Sequence, residues 1–204
     1  MGLFEKADND TASQDAGHER LPPGQIATEK WPVLTYGETP SIEAKDWRFR
    51  AWGLIEQEKV FTWEDLLSFQ SVRVVCDLHC VTRWTKFNNE FEGARVRDLL
   101  ATLNVKPEAR YVMVHGYGGY TTNVPIADLM DDDVLLAYKY DGKPLEPDHG
   151  GPCRLLIPKL YLWKSAKWVN GFEMIEKDKP GFWERAGYHM YGDPWKEERH
   201  GWSW

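Results

Sequence analysis

The 204-residue sequence has no run of eighteen apolar residues, and so no candidate membrane-spanning helix. Its opening, Met1-Gly2-Leu3-Phe4-Glu5-Lys6, carries neither the apolar core of a signal peptide nor a twin-arginine pair, and the expected location is the cytoplasm. Cysteine is scarce: Cys76, Cys80 and Cys153 are too few, and odd in number, for a disulfide framework, which fits a reducing compartment. There is no internal repeat, no Cys-x-x-Cys-His haem signature and no Ser or Cys in a nucleophile-elbow pattern, which sets aside solenoids, covalently attached c-type haem and triad hydrolases. Positive charge is also short. With 25 Lys and Arg against 32 Asp and Glu, the net charge of -7 argues against a nucleic-acid or anionic-membrane partner, since either needs a basic face.

What remains is enough for one domain with a substantial core. Residues 1–28 are polar and acidic and contain Pro22-Pro23-Gly24, which predicts a disordered or loosely attached arm ahead of a single domain over 29–204. Trp31 to Pro40 reads as an extended loop laid over that domain. Trp47 to Leu54 alternates as a half-buried strand. Thr62-Trp63-Glu64-Asp65 has the form of a helix start with a carboxylate three residues after the cap. Val72 to Cys80 reads as the central strand, Val96 to Leu103 as a helix and Tyr111 to Val114 as a strand. His115 to Pro125 reads as a glycine-rich loop, and Val134 to Tyr140 as a strand turned by Asp141-Gly142. Strands and helices mix without βαβ alternation, so the expected class is α+β with a mixed sheet.

Two stretches carry chemistry. Val74 to Trp84, V-V-C-D-L-H-C-V-T-R-W, starts as an apolar strand and ends in Cys80, flanked by His79, Thr82, Arg83 and Trp84. A thiol at a strand end beside a cation can be held as thiolate, the form that binds soft metals. The second stretch, His149 to Phe172, contains Arg154, Lys159, Lys164 and Lys167 and no Asp or Glu. In an acidic protein, cations without a local counter-ion suggest that the counter-ion comes from outside, and a multiply charged organic anion fits.

The D-x-H-C-V-T-R-W strand end, the D-G-x-P-L-x-P-x-H-G-G-P-x-R-L turn from Asp141 to Leu155, and the W-K-S-A-K-W run from Trp163 to Trp168 occur together and in order. In this combination the chain resembles the molybdopterin-binding domain of the sulfite oxidase family, and is most similar to its short bacterial oxidoreductases. The resemblance implies a sulfite-oxidase-type fold and a molybdenum enzyme holding a single molybdopterin. It implies Cys80 as the metal's protein ligand, His149 and Arg154 as pterin contacts, and Lys164, Ser165 and Lys167 as the hold on the pterin phosphate. It further implies Thr35 and Tyr36 in a loop over the cofactor, His115 as a contact after the next strand, and Tyr188 and Arg83 at the substrate. The implied reaction is two-electron oxygen-atom transfer on a small molecule, sulfite, a sulfoxide or a similar oxide, by a monomer exchanging electrons with a separate partner. Where that family has two adjacent arginines after the ligand cysteine, this chain has Arg83 followed by Trp84. A pocket with fewer cations is expected to bind a dianion such as sulfite less well.

Two rival readings stand beside this one. Cys76, Cys80, His79 and Cys153 would make a structural zinc site, or the fold would serve as a non-catalytic binding module whose basic segment docks an acidic protein.

Overall fold

The computed structural model describes residues 20–201; of the arm expected over residues 1–28, residues 1–19 lie outside the described residues. Strand β1 is short, Ile26–Ala27. In β2, Arg48–Gly53, alternation turns Phe49 and Ala51 inward and leaves Arg48 and Arg50 outside. It pairs antiparallel with β3, Lys59–Thr62, whose last residue caps α1, Trp63–Ser68. The Thr62 hydroxyl accepts from the Asp65 amide and the Asp65 carboxylate accepts from the Thr62 amide, the reciprocal cap expected from the sequence, worth about 1 kcal/mol.

A long antiparallel hairpin follows, β4 at Ser71–His79 and β5 at Trp84–Arg95. β4 is not central: it pairs with β5 alone and leaves Val75 60% exposed, so its apolar run is an edge. The centre is β5, which polar residues such as Lys86, Asn88 and Glu90 had hidden while Thr85, Asn89, Phe91 and Ala94 turn into the protein. The chain continues through α2 (Val96–Leu100), β6 (Tyr111–Gly116), β7 (Thr121–Pro125), α3 (Ile126–Leu129), β8 (Leu135–Tyr140), β9 (Lys143–Pro144), β10 (Arg154–Leu156), β11 (Val169–Ile175) and α4 (Phe182–Arg185). The glycine-rich loop expected from His115 to Pro125 is mostly a hairpin, since only residues 117–120 separate β6 from β7.

The class is α+β with mixed pairing, as expected, but there are two sheets. One has the order β1-β5-β8-β10, with β4 on β5 and β9 on β8; the other is β3-β2-β11-β6-β7. Among the described residues only β1 with β5 and β2 with β11 run parallel. The main core lies between the sheets, taking Phe49, Val112, Val114 and Phe172 from one and Ala94, Leu136 and Leu155 from the other. A smaller cluster of Leu78, Phe91, Leu135, Ala137 and Leu156 covers the outer face of the first sheet, with Trp31, Trp84 and Leu162 packed on it. Both faces of that sheet are therefore buried, which explains the uninterrupted apolar start of β8; truncating Leu136 to Ala would cost roughly 2–5 kcal/mol.

From residue 20 onward the arm is not loose. The Ile26 amide donates to Arg83 O and the Thr28 amide to Thr85 O, both at 2.9 Å, adding β1 to the edge of β5. Trp31 to Pro40 has no regular structure and runs as an extended loop, as the two prolines and glycine predicted. Among the described residues no helix is long and apolar enough to cross a membrane.

Candidate active site

Cys80 sits where β4 turns into β5. Its amide donates to Trp84 O at 2.9 Å and its carbonyl accepts from the Arg83 amide at 3.0 Å, a tight turn that needs Arg83 at φ +73°. The side chain is 6% exposed, and its Sγ lies 3.1 Å from Thr82 Oγ1. Burial pushes the thiol up, while hydrogen bonds from Thr82 and the charge of Arg199 work the other way. Cys80 opens into a cavity of about 740 Å³. The loop from Trp31 to Glu38 forms one side of it, the Tyr117–Tyr120 turn another, and Arg154, the Leu162–Trp168 segment, Phe182–Trp183 and Tyr188 complete the wall.

One part of this wall is cationic. Arg154 is 1% exposed and donates through Nη1 to His149 O and through Nη2 to Ser165 O, both at 2.9 Å. Among the described residues no carboxylate answers its charge, and burial holds its pKa down to about 10. Lys167 Nζ donates to Thr35 Oγ1 at 2.8 Å and to the carbonyls of Leu34 and Asp148, all uncharged acceptors. Burial, then Arg154, brings it down to about 8. The two cations approach because Gly150, at φ +105°, lets the chain pass: a Cβ there would lie 3.0 Å from both Arg154 Cβ and Lys167 Cα. Ser165 also lines the cavity, its Oγ accepting from the Ile157 amide.

The part near Cys80 is aromatic. Tyr188 packs edge-on to Trp163 and stacks on Trp183, each at 5.1 Å. Burial, then Cys80, pushes its hydroxyl up, so it is a neutral donor at ordinary pH. Tyr36, on the exposed loop, meets Phe182 at 5.1 Å.

The structure brings together Cys80, Tyr188, Thr35, Tyr36, Arg154, Ser165 and Lys167 around one cavity. Four expected residues fall outside its lining. Lys164 is fully buried, with Nζ 2.6 Å from Glu184 Oε1 and further acceptors in Asn123 and the Met190 carbonyl, so it faces the protein rather than a ligand. His115 turns to the other face of β6, against Trp52 and 3.6 Å from Glu173. Arg83 is exposed and contributes through its backbone. His149 stands one layer back, stacked on the cavity residue Trp31 at 3.8 Å, with Nδ1 buried and unpartnered among the described residues.

The basic segment is also less bare than its sequence suggests. Lys159 bridges Asp128 and Asp131, and Lys164 pairs with Glu184, so the fold supplies acids from elsewhere to two of the four cations. Among the described residues the other two, Arg154 and Lys167, form no salt bridge, although the charge of Asp148 acts on Lys167 from a distance. The zinc reading fails: Cys76 packs with the outer cluster, Cys153 lies in the main core, and among the described residues no three His, Cys, Asp or Glu groups converge to hold a metal. His79 points from the Cys80 turn to Thr85 Oγ1 at 2.9 Å, and burial pushes it down to about 4.

The sequence profile of the family described as oxidoreductase molybdopterin binding domain matches residues 36–183. The chain is 42% identical over 185 residues to the uncharacterized oxidoreductase YuiH of Bacillus subtilis, covering 90% of this chain and 93% of that protein. It is 31% identical over 191 residues to an NADH nitrate reductase of Ulva prolifera, covering 78% of this chain but only 22% of that longer protein. Among solved structures, the sulfane dehydrogenase SoxCD of Paracoccus pantotrophus superposes with a TM-score of 0.65 at 22% identity, over 91% of this chain and 58% of that one, a likeness of fold.

Proposed function

Given that the chain belongs to the oxidoreductase molybdopterin-binding domain family, and is thus an oxidoreductase of molybdenum and molybdopterin, we propose that it performs two-electron oxygen-atom transfer on a small neutral oxide, with Cys80 holding the metal. The observation that carries this is the sharing of one cavity by a single thiol and by two cations that, among the described residues, form no salt bridge.

The residues present fit the cofactor. Cys80 is a soft sulfur donor, and Arg154 offers a planar fork to an anionic or heterocyclic group. Lys167 and Ser165 stand beside it, with Thr35 and Tyr36 closing over from the loop. Trp84 Nε1, on the cavity wall, is a buried donor without a partner among the described residues, and would find one on a polar ligand. When bound, the cofactor supplies the two-electron redox chemistry and the exchange of oxygen. The chain's residues do the rest: the Thr82 hydroxyl steadies the Cys80 sulfur, the aromatic wall excludes water, and Tyr188 Oη donates a hydrogen bond to charge developing on the substrate oxygen.

A neutral oxide, such as a sulfoxide, is favoured over sulfite by the charge of the reactive end. Val81, Thr82, Trp163, Trp183 and Tyr188 line it without an Arg or Lys, and Glu38 stands at the rim. A dianion would meet only the charge of Arg199, which is buried behind the Cys80 turn and engaged by backbone carbonyls, and no cation lining this end of the cavity. The electrons are exchanged with a separate partner.

The test uses the purified holoenzyme with a dye as electron carrier, offered sulfoxides, N-oxides and sulfite. A neutral oxide should turn over and sulfite should not. Cys80→Ser should keep the fold and most of the pterin but lose more activity than the roughly 10–100-fold that outer-shell partners of a metal typically cost. Full activity in Cys80→Ser, or efficient turnover of sulfite alone, would overturn the corresponding part.

A further inference from the structure

The turn that bears Cys80 is held from beneath by two residues that lie outside the family-matched segment of 36–183. Gln25, 7% exposed, donates through Nε2 to Cys80 O at 3.1 Å. Arg199, 6% exposed, donates through Nη1 to Val81 O at 2.7 Å, and its Nη2 stands 3.4 Å from both Pro23 O and Gly24 O. Its guanidinium covers the Tyr161 ring at 5.0 Å. Two successive peptide carbonyls of the turn, Cys80 O attached directly to the cysteine and Val81 O one residue on, are thus anchored, one from each end of the described chain. Gly24 makes the approach possible: at φ +68°, a Cβ there would lie 2.4 Å from Glu197 Oε1 and 3.3 Å from Arg199 Nη2.

The same residue also fixes the opposite wall. The Arg199 carbonyl accepts from the His189 amide at 3.2 Å, His200 bridges antiparallel to Tyr188, and the Gly201 amide donates to Gly187 O at 3.0 Å. The backbone of Arg199 therefore belongs to the ribbon that carries Tyr188, while its side chain grips the residue after Cys80. Arg199 Nε is left buried without a partner among the described residues, a cost consistent with a side chain placed for the carbonyls it reaches.

We propose that Arg199 and Gln25 are positioning residues for the reaction: a clasp that sets the Cys80 sulfur and the Tyr188 hydroxyl at a fixed separation across the cavity. A planar fork is needed because one side chain must reach separate segments at once, and an ammonium is a point donor on a flexible stem. The clasp rests on the reading of Cys80 as the metal's sulfur donor. Its effect is to hold the donor's orientation and, through it, the electronic state of the metal, as partners behind a first ligand do.

The holoenzymes of Arg199→Met, Arg199→Lys, Gln25→Leu and Cys80→Ser are compared for molybdenum content, kcat and KM, and for the visible charge-transfer absorption of the sulfur-bound metal. Arg199→Met should retain the cofactor and KM, lower kcat by about tenfold, and shift the absorption band. Arg199→Lys should recover part of both, and Gln25→Leu should move both the same way by less. A purely structural role would lower melting temperature and yield while leaving the spectrum and kcat per molybdenum as in the wild type, and that result overturns the clasp. If Arg199→Met does not fold, Gln25→Leu decides on the same two readouts. An unchanged band in Cys80→Ser would instead remove the underlying reading. A band lost in Cys80→Ser but unmoved in the folded clasp variants would remove only the clasp.

Discussion

Lys164 and Lys167 are three residues apart on one turn, yet their surroundings are opposite. Lys164 Nζ is sealed inside, 2.6 Å from Glu184 Oε1, and that carboxylate also accepts from Thr122 Oγ1 and Trp163 Nε1. Among the described residues Lys167 Nζ bonds to a hydroxyl and two carbonyls, with the Asp148 carboxylate acting only from a distance, beside Arg154, which has no salt bridge either. One cation completes an internal network and the other leaves a charge to be answered. A run of basic residues is therefore two different devices, and the distinction lies in where the acids fold to. Glu184 comes from α4, twenty positions downstream of Lys164.

The largest expected effect breaks the internal device. Lys164→Met strands Glu184, fully buried, among donors too weak to replace an ammonium, and should cost about 3–5 kcal/mol. In a chain of this size that is about 10 °C of melting temperature. Lys164→Met combined with Glu184→Leu should recover much of it, because an apolar pair leaves no unpaired charge behind. Thermal melts of the cofactor-free proteins decide; a single variant as stable as the wild type would show that the pair is not the structural element described.

Arg154 is the converse. Its charge is met by the His149 and Ser165 carbonyls and by no carboxylate among the described residues, so Arg154→Met strands no buried charge and should change the stability of the cofactor-free protein less than Lys164→Met does. Two charge-assisted bonds to a bound anion would be lost, and cofactor affinity should fall about tenfold or more. Molybdenum per chain after purification is the measurement. Undiminished content, or a loss of stability matching that of Lys164→Met, would merge the two devices.

Much of this was legible in the residues. The Thr62–Asp65 cap, the Asp141-Gly142 turn and the strand of Trp47 to Leu54 are local, and local physics decided them. Cys80, Arg154, Lys167 and Ser165 followed from a thiol at a strand end and from a segment without acids. What failed was long-range. Nothing near Lys164 announces Glu184, and nothing in W-T-K-F-N-N-E announces the central strand. His115 was avoidable: Val112 and Val114 are core residues, and alternation along β6 sends the side chain one position later to the opposite face. Gln25 and Arg199 belong to no motif, because backbone carbonyls as partners leave no trace in a sequence.

The smallest effect is a pH signature of the unanswered cation. Burial, then the neighbouring Arg154, holds Lys167 at about 8 in the folded protein, below the ordinary lysine value of 10.5. Between those values the unfolded chain keeps a proton that the folded one has released, so the unfolded state binds more protons and stability rises with pH. The melting temperature of the cofactor-free wild type, minus that of cofactor-free Lys167→Met, should therefore increase from pH 8 to about pH 10. An anionic group bound beside Lys167 stabilises its charged form and lifts its pKa back, so the holoenzyme should lose most of that rise. The sign separates this cation from Lys159, whose bonds to Asp128 and Asp131 outweigh its burial and raise it. A Lys159→Met difference curve should fall, not rise, as pH climbs beyond the ordinary lysine range. Identical curves for the two lysines would mean that neither is distinguished by the acids around it, and the contrast between answered and unanswered charge would no longer hold.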